Sequence, residues 1–278
     1  MKGYTPVFII AGICLSLLCL IPNHQVVAQD KATIRISGAG LLSDVVDMNA
    51  AQYTQEAPNC SFVIHGATTG IGLQRLIAGD ADLAMVTRKI TEEEAKNAAS
   101  KGIVLGSKYI GQIALAVITN SRNTVNELTM EQLAKIFKGE ITNWSQVGGP
   151  NEPIRVTMRA VPETGAGVLF QDKVLKGAPY AKDAAVMSTY STTVTVCSRS
   201  FGIGYIPTTT VFFDKLDERG VKILKIKKDA DSQPYQLAGG VSRESLYPIS
   251  VAFHLYWNAN TAGPCVQGFA DFSAQQTQ

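Results

Sequence analysis

Three short segments combine glycine with hydroxyl side chains, and two arginines stand near them. The segments are Ser37-Gly38-Ala39-Gly40, Gly66-Ala67-Thr68-Thr69-Gly70 and Glu163-Thr164-Gly165-Ala166-Gly167. Each lies between a β-rich run and a helix-forming run. Glycines let backbone N–H groups converge, and a helix start carries partial positive charge, so such a turn suits an oxyanion. Thr68, Thr69 and Thr164 add hydroxyl donors, and Arg88 and Arg159 offer two-pronged guanidinium contacts. The glycine spacing matches neither a nucleotide-phosphate loop nor a dinucleotide fingerprint. Singly, each is an ordinary turn; three in one chain point to anion binding.

Other chemistries find little material. The chain has 3 His and 5 Cys, without CxxC or a paired spacing for zinc. No nucleophile with a partnered base, no paired acids and no metal set are evident, so the chain does not read as an enzyme and implies no cofactor. Lys and Arg number 25 against 23 acids, with no basic run, which argues against nucleic acid as a partner. A hydrophobic fraction of 46% excludes disorder for most of the chain.

The turns need elements to position them, and short β-rich runs alternate with helical ones, an α/β pattern. Strands are expected at Thr33–Ser37, Ser61–Ile64, Asp82–Val86, Gln112–Thr119, Ile154–Met158, Ile203–Ile206, Val221–Ile226 and Ile249–Trp257. Leu42, Val45, Val46, Ala50 and Tyr53 recur at helical spacing over Leu42–Glu56. Thr69–Ala78 is a short helix stopped by Gly79. Thr91-x-x-Glu94 and Thr129-x-x-Gln132 are capping boxes, the second opening a helix ended by Gly139. Another helix runs from the third glycine turn to about Lys176. At roughly 150 residues per domain, 278 residues make two small domains or one large one.

Residues 1–28 read as a cleavable export signal: Lys2, an apolar run from Val7 to Ile21, then Pro22-Asn23 and a small residue at Ala28. The run is short for a membrane span, which takes about 20 residues. Removing it leaves Cys60, Cys197 and Cys265, enough for one disulfide and one free thiol, with the pairing open.

The chain resembles the substrate-binding proteins of phosphate ABC importers from about Ile34 to Phe272. The segments that carry the resemblance are ISGAG, GATTGIGLQRLIAGDADLAMVTRKITEEE, NELTMEQLAKIFKGEITNWSQVGGPNEPIRV, Arg159 with TGAG, FGIGYIP and LYPISVAFHLYWN. That resemblance implies a two-lobed type II periplasmic-binding-protein fold with a discontinuous first lobe and two crossing hinge strands. Lobe I would be 29–112 plus 225–278, and lobe II 113–224. It also implies a monomer in the periplasm that captures phosphate or a similar small inorganic oxyanion and hands it to an ABC permease in the inner membrane. The alternative is a binding or sensor module of the same fold with a different anion or a signalling partner.

The implied ligand residues carry over unevenly. In the first turn Gly40 is followed by Leu41 and Leu42, where the family offers a hydroxyl, so backbone donors remain there unless Ser43 reaches in. Thr68, Thr69 and Gly70 match the second turn, and Thr87-Arg88 stands for the family's Ser-Arg. Arg159 with Thr164, Gly165 and Ala166 stands for the Arg and Ser-Gly-Thr set, one hydroxyl short. Glu163 is the candidate acceptor for a phosphate proton. His65 is read as a strand end, His254 and Trp257 as packing, and Lys222, Lys225, Lys227 and Lys228 as a solvated strand edge.

Overall fold

Hydroxyl side chains set where most of the helices begin, and glycines set where several of them end. The computed structural model describes residues 31–237, 239–243 and 245–276; the export-signal reading of 1–28 lies outside them. In chain order the elements are β1 (Ala32–Ala39), α1 (Ser43–Glu56), β2 (Cys60–Ala67), α2 (Thr69–Ala78), β3 (Leu83–Val86), α3 (Glu92–Ser100), β4 (Leu105–Asn120) and β5 (Glu127–Thr129). There follow α4 (Met130–Lys138), β6 (Arg155–Met158), α5 (Gly165–Phe170), β7 (Ala185–Val186), α6 (Tyr190–Arg199), β8 (Gly202–Pro207), β9 (Val221–Ile223), β10 (Lys225–Lys227), β11 (Ser250–Asn258) and α7 (Pro264–Gln275). Both capping boxes form: Thr91 Oγ1 accepts from the Glu94 N–H at 3.2 Å, and Thr129 Oγ1 accepts from the Gln132 N–H at 3.1 Å. Gly79 and Gly139 close α2 and α4 in the left-handed conformation that glycine adopts without strain.

The strands run in the order β2-β1-β3-β11-β4-β8-β6-β7, with β9 also on β4. β1, β2 and β3 are parallel, and β11 lies antiparallel between β3 and β4. β4 is the long shared member. Its first part pairs β11, and its last part pairs β8 and β9. The sheet therefore has two leaves joined through one strand. Opposite Gly111 of β4 the register of β11 shifts between Phe253 and His254, a bulge that bends the pair.

Each leaf has its own apolar core. One gathers Ile36, Leu42, Val45, Ile113, Phe253 and Phe269; the other gathers Leu115, Phe137, Trp144, Phe170, Ile203 and Tyr205. Trp144 is fully buried, and its indole N–H donates to the Phe201 carbonyl at 2.7 Å, so its one polar atom is satisfied. Gly38 is sterically required, because a side chain there would begin 2.1 Å from the Met85 carbonyl oxygen of the neighbouring strand. Cys60 pairs with Cys265, tying the start of β2 to α7, and Cys197 stays free and buried.

Several sequence expectations are corrected in detail. β4 begins at Leu105, seven residues before the expected strand, and Val221–Ile226 is two strands broken at Leu224. The helix expected to reach Lys176 is regular only to Phe170 and widens over Gln171–Leu175. The lysine edge is not uniformly solvated. Lys222 donates to the Asn123 carbonyl and to Asn126 Oδ1, and Lys227 bonds Glu127 at 3.2 Å. Among the described residues no helix is long and apolar enough to cross a membrane.

Candidate functional site

The parallel strands end on the side where α2 and α5 begin, and the turns that follow them face a common cavity of about 500 Å³. Its wall takes Ala39 and Leu41 from the first turn, Ala67, Thr68 and Thr69 from the second, Thr87 and Arg88 after β3, and Gly165 from the third. Thus six of the thirteen residues singled out in the sequence line one space: Leu41, Thr68, Thr69, Thr87, Arg88 and Gly165. Gly40, Leu42, Gly70, Arg159, Glu163, Thr164 and Ala166 do not line it.

Within the second turn Thr68 caps α2, its Oγ1 accepting from the Ile71 N–H at 3.2 Å. Thr69 and Thr87 share a hydroxyl–hydroxyl bond of 3.0 Å, and Thr69 Oγ1 also accepts from the Thr87 N–H at 3.2 Å. The pair locks the α2 start to the end of β3. Arg88 makes a two-pronged contact to Glu94, both bonds 2.8 Å, and also reaches the Lys89 carbonyl. That contact holds the Glu94 carboxyl far below its ordinary range, at about 2. Glu94 is also the capping-box acid of α3, so one carboxylate serves both a helix start and the cavity's arginine.

The first turn departs from an anion cradle. Leu41 is only 5% exposed and packs in the same cluster as Leu169 and Phe170. Its Cβ lies 3.4 Å from where a side chain on Gly165 would begin. Leu42 is buried in the other core. Ser43 Oγ is buried without a partner beside Gly66, and it does not line the cavity.

The third turn is held by a relay of hydroxyls. The Arg159 N–H donates to Tyr205 Oη at 3.0 Å, and Tyr180 Oη donates to the Gly167 carbonyl at 3.1 Å. The two phenols are 3.1 Å apart. With the Tyr180 proton directed at Gly167, Tyr205 is the donor between them. Thr164 caps α5 while donating to the Ala160 carbonyl at 2.7 Å. The Arg159 side chain points elsewhere: Nη1 donates to the Met187 carbonyl at 2.7 Å and the guanidinium lies 4.9 Å over the Tyr190 ring. Arg159 is therefore bound into the wall between β6 and α6, where packing on Tyr190 favours a planar cation.

Glu163 is exposed. Asp44, in the first turn of α1, is exposed too and does not line the cavity; partial burial of its carboxyl pushes it up and Arg159 pulls it back in part. Sequence reasoning missed it because an acid at a helix start is explained by the helix dipole alone. It missed the apolar lining too. Pro162, Val168, Leu169 and Val251 make much of the wall, and as isolated letters in different elements they carry no shared pattern. His65 is exposed on β2, and His254 is buried beside Tyr109 with its imidazole pushed down by burial, which fits a packing role. Among the described residues no group of three or more His, Cys, Asp or Glu stands close enough to hold a metal.

A family model described as a PBP superfamily domain matches residues 24–277. The chain is 30% identical to Protein SphX of Synechococcus elongatus over 164 residues, 56% of this chain and 48% of that protein. It is 27% identical to the phosphate-binding protein PstS of Staphylococcus haemolyticus over 207 residues, 72% of this chain and 62% of that one. In both cases the match spans less than two thirds of the relative's own length. Among solved structures, an ABC-type phosphate transport receptor from Vibrio cholerae aligns with a TM-score of 0.63 at 28% identity, covering 88% of this chain and 94% of that one. A match that takes in every described residue makes this chain a member of the PBP superfamily, and its relatives there include PstS-type proteins.

Proposed function

We propose that this chain is an extracytoplasmic solute-binding protein that captures phosphate or a similar small oxyanion between two lobes and delivers it to an ABC permease. The observation that carries the reading is the convergence of Thr68, Thr69, Thr87, Arg88 and Gly165, from three separate turns, on one cavity. The relatives support it by the ligand and transporter that their names and descriptions state. The lobes are taken as 29–112 plus 225–278 and 113–224, and the protein as a non-enzymatic monomer exported by residues 1–28.

An arriving anion would compete with Glu94 for Arg88 and accept from the Thr69 or Thr87 hydroxyl as that pair rotates. It would replace one set of charge-assisted bonds by another, and each such bond contributes about 1.5–3 kcal/mol. Closure of one leaf on the other then excludes water, with β4 and β11 as the bending pair. Calorimetric titration with phosphate, sulfate, arsenate and molybdate tests the reading. Saturable binding of at least one, weakened at least tenfold by Arg88→Ala, is expected; binding of none overturns it.

One observation favours the second reading, a sensor module. Leu41 is buried where the first turn would offer a hydroxyl, and Arg88 is already engaged by Glu94. Stimulation of a reconstituted ABC permease by the loaded protein supports transport; its absence, with anion binding intact, supports sensing.

A further inference from the structure

We propose that a second cavity, separate in its lining from the anion cleft, is a binding site for a small uncharged molecule bearing a carboxamide. The space is about 330 Å³ and lies among one face of α1, the segment after β8, residues 239–241 and the end of α7. Three of its lining side chains are almost wholly buried and polar: Asn49 is 1% exposed, Ser273 0% and Thr209 7%. Asn49 Nδ2, Asn49 Oδ1, Ser273 Oγ and Thr209 Oγ1 all lack a hydrogen-bond partner. Buried polar groups in folded proteins are nearly always paired, and an orphan costs the full desolvation of the group. Four orphans around one cavity are therefore a site, not scatter.

The neighbours sharpen the contrast. Thr208 Oγ1 donates to the Gly240 carbonyl at 2.7 Å, and Thr210 Oγ1 donates to the Pro207 carbonyl at 2.8 Å. The fold pairs the hydroxyls on either side of Thr209 and leaves that one, in the cavity wall, without a partner. On α1, Asn49 stands among the buried positions Val45, Val46 and Ala50, where an apolar residue would satisfy packing alone.

The chemistry selects the guest. A primary amide side chain presents one acceptor and one donor edge, and its natural complement is another amide, which returns a donor and an acceptor. The two hydroxyls can take either role. No Lys, Arg or His is among the described lining residues, and Asp214 is present, so an anion has no counter-charge there. Val45, Val241 and Phe213 supply an apolar wall for the body of the guest.

Propionamide is the probe, with propionate as its charged isostere, followed by methyl resonances of Val45, Met48 and Val241 in the full chain. Saturable shifts with propionamide and none with propionate are expected. Asn49→Leu keeps the volume and removes both orphan atoms. It should weaken propionamide at least tenfold, leave phosphate binding unchanged and raise the melting temperature by about 2–4 °C. Ser273→Ala, a smaller change, should weaken propionamide several-fold and serves if Asn49→Leu does not fold. Equal response to propionate, no saturable propionamide response, or unchanged propionamide binding in the folded variants overturns the proposal.

Discussion

The two cavities differ in who satisfies their polar groups. In the cleft lined by the glycine turns, the fold has already answered those of the turns: Thr69 with Thr87, Arg88 with Glu94, Thr68 with the Ile71 N–H. In the cavity between α1 and α7, Asn49, Thr209 and Ser273 are left unanswered. A guest in the first must exchange partners with the protein, so its affinity is a difference between two strong sets of bonds. A guest in the second adds bonds to groups that have none. Exchange sites are adjustable by substitutions at the partner, such as Glu94, whereas preformed sites respond only to the groups that touch the guest.

The largest effect should come from the disulfide. Replacing Cys60 and Cys265 by Ala is expected to cost about 2–5 kcal/mol in urea unfolding. Because α7 carries Ser273 as well as Cys265, the loss should loosen the second cavity while the cleft keeps its anion affinity; parallel titrations of both sites check this, and equal losses would erase the contrast.

Next is Leu41→Thr. It removes a buried side chain from the cluster with Leu169 and Phe170, at a cost of about 2 kcal/mol. It should also raise anion affinity by roughly tenfold, because it restores a hydroxyl to the first turn. Stability loss without affinity gain would show that Leu41 is packing alone.

Glu94→Gln should cost only about 1 kcal/mol, since Arg88 is 45% exposed at its side chain, and should raise anion affinity roughly fivefold by freeing the guanidinium. The smallest effect is on pH. The Glu94 carboxyl, ordinarily at 4.5, is held down to about 2. Its contribution is therefore full above pH 4.5 and lost as the pH falls through about 2. Acid unfolding of Glu94→Gln should lack that component.

Much of the scaffold was legible from the residues. The Thr91 and Thr129 capping boxes, the Gly79 and Gly139 stops and the glycine turns are local signals, fixed within a few residues, and the structure has them where they were read. α6 was not read, because Tyr190–Arg199 is rich in β-branched residues and becomes helical only with its Thr189 cap and packing on β8. The early part of β4 was missed because Leu105–Gly111 alternates weakly, being largely half exposed even where it pairs β11. The site was half legible. Turn residues announce themselves by type, but the commitment of Arg88 to Glu94 and the turning of Arg159 onto Tyr190 are tertiary facts. Asn49 was invisible for the same reason: nothing in its neighbours says that its helix face will be sealed without a partner.

The position of β11 carries a consequence for how the protein is made. That strand lies between β3 and β4, yet it is the last strand among the described residues. A chain emerging from its N-terminus exposes β1, β2, β3 and β4 long before the strand that joins them arrives, and Cys60 must wait for Cys265. The leaf that begins the sequence can close only after β11 has emerged. Until then the nascent polypeptide holds an unfilled gap in its central sheet.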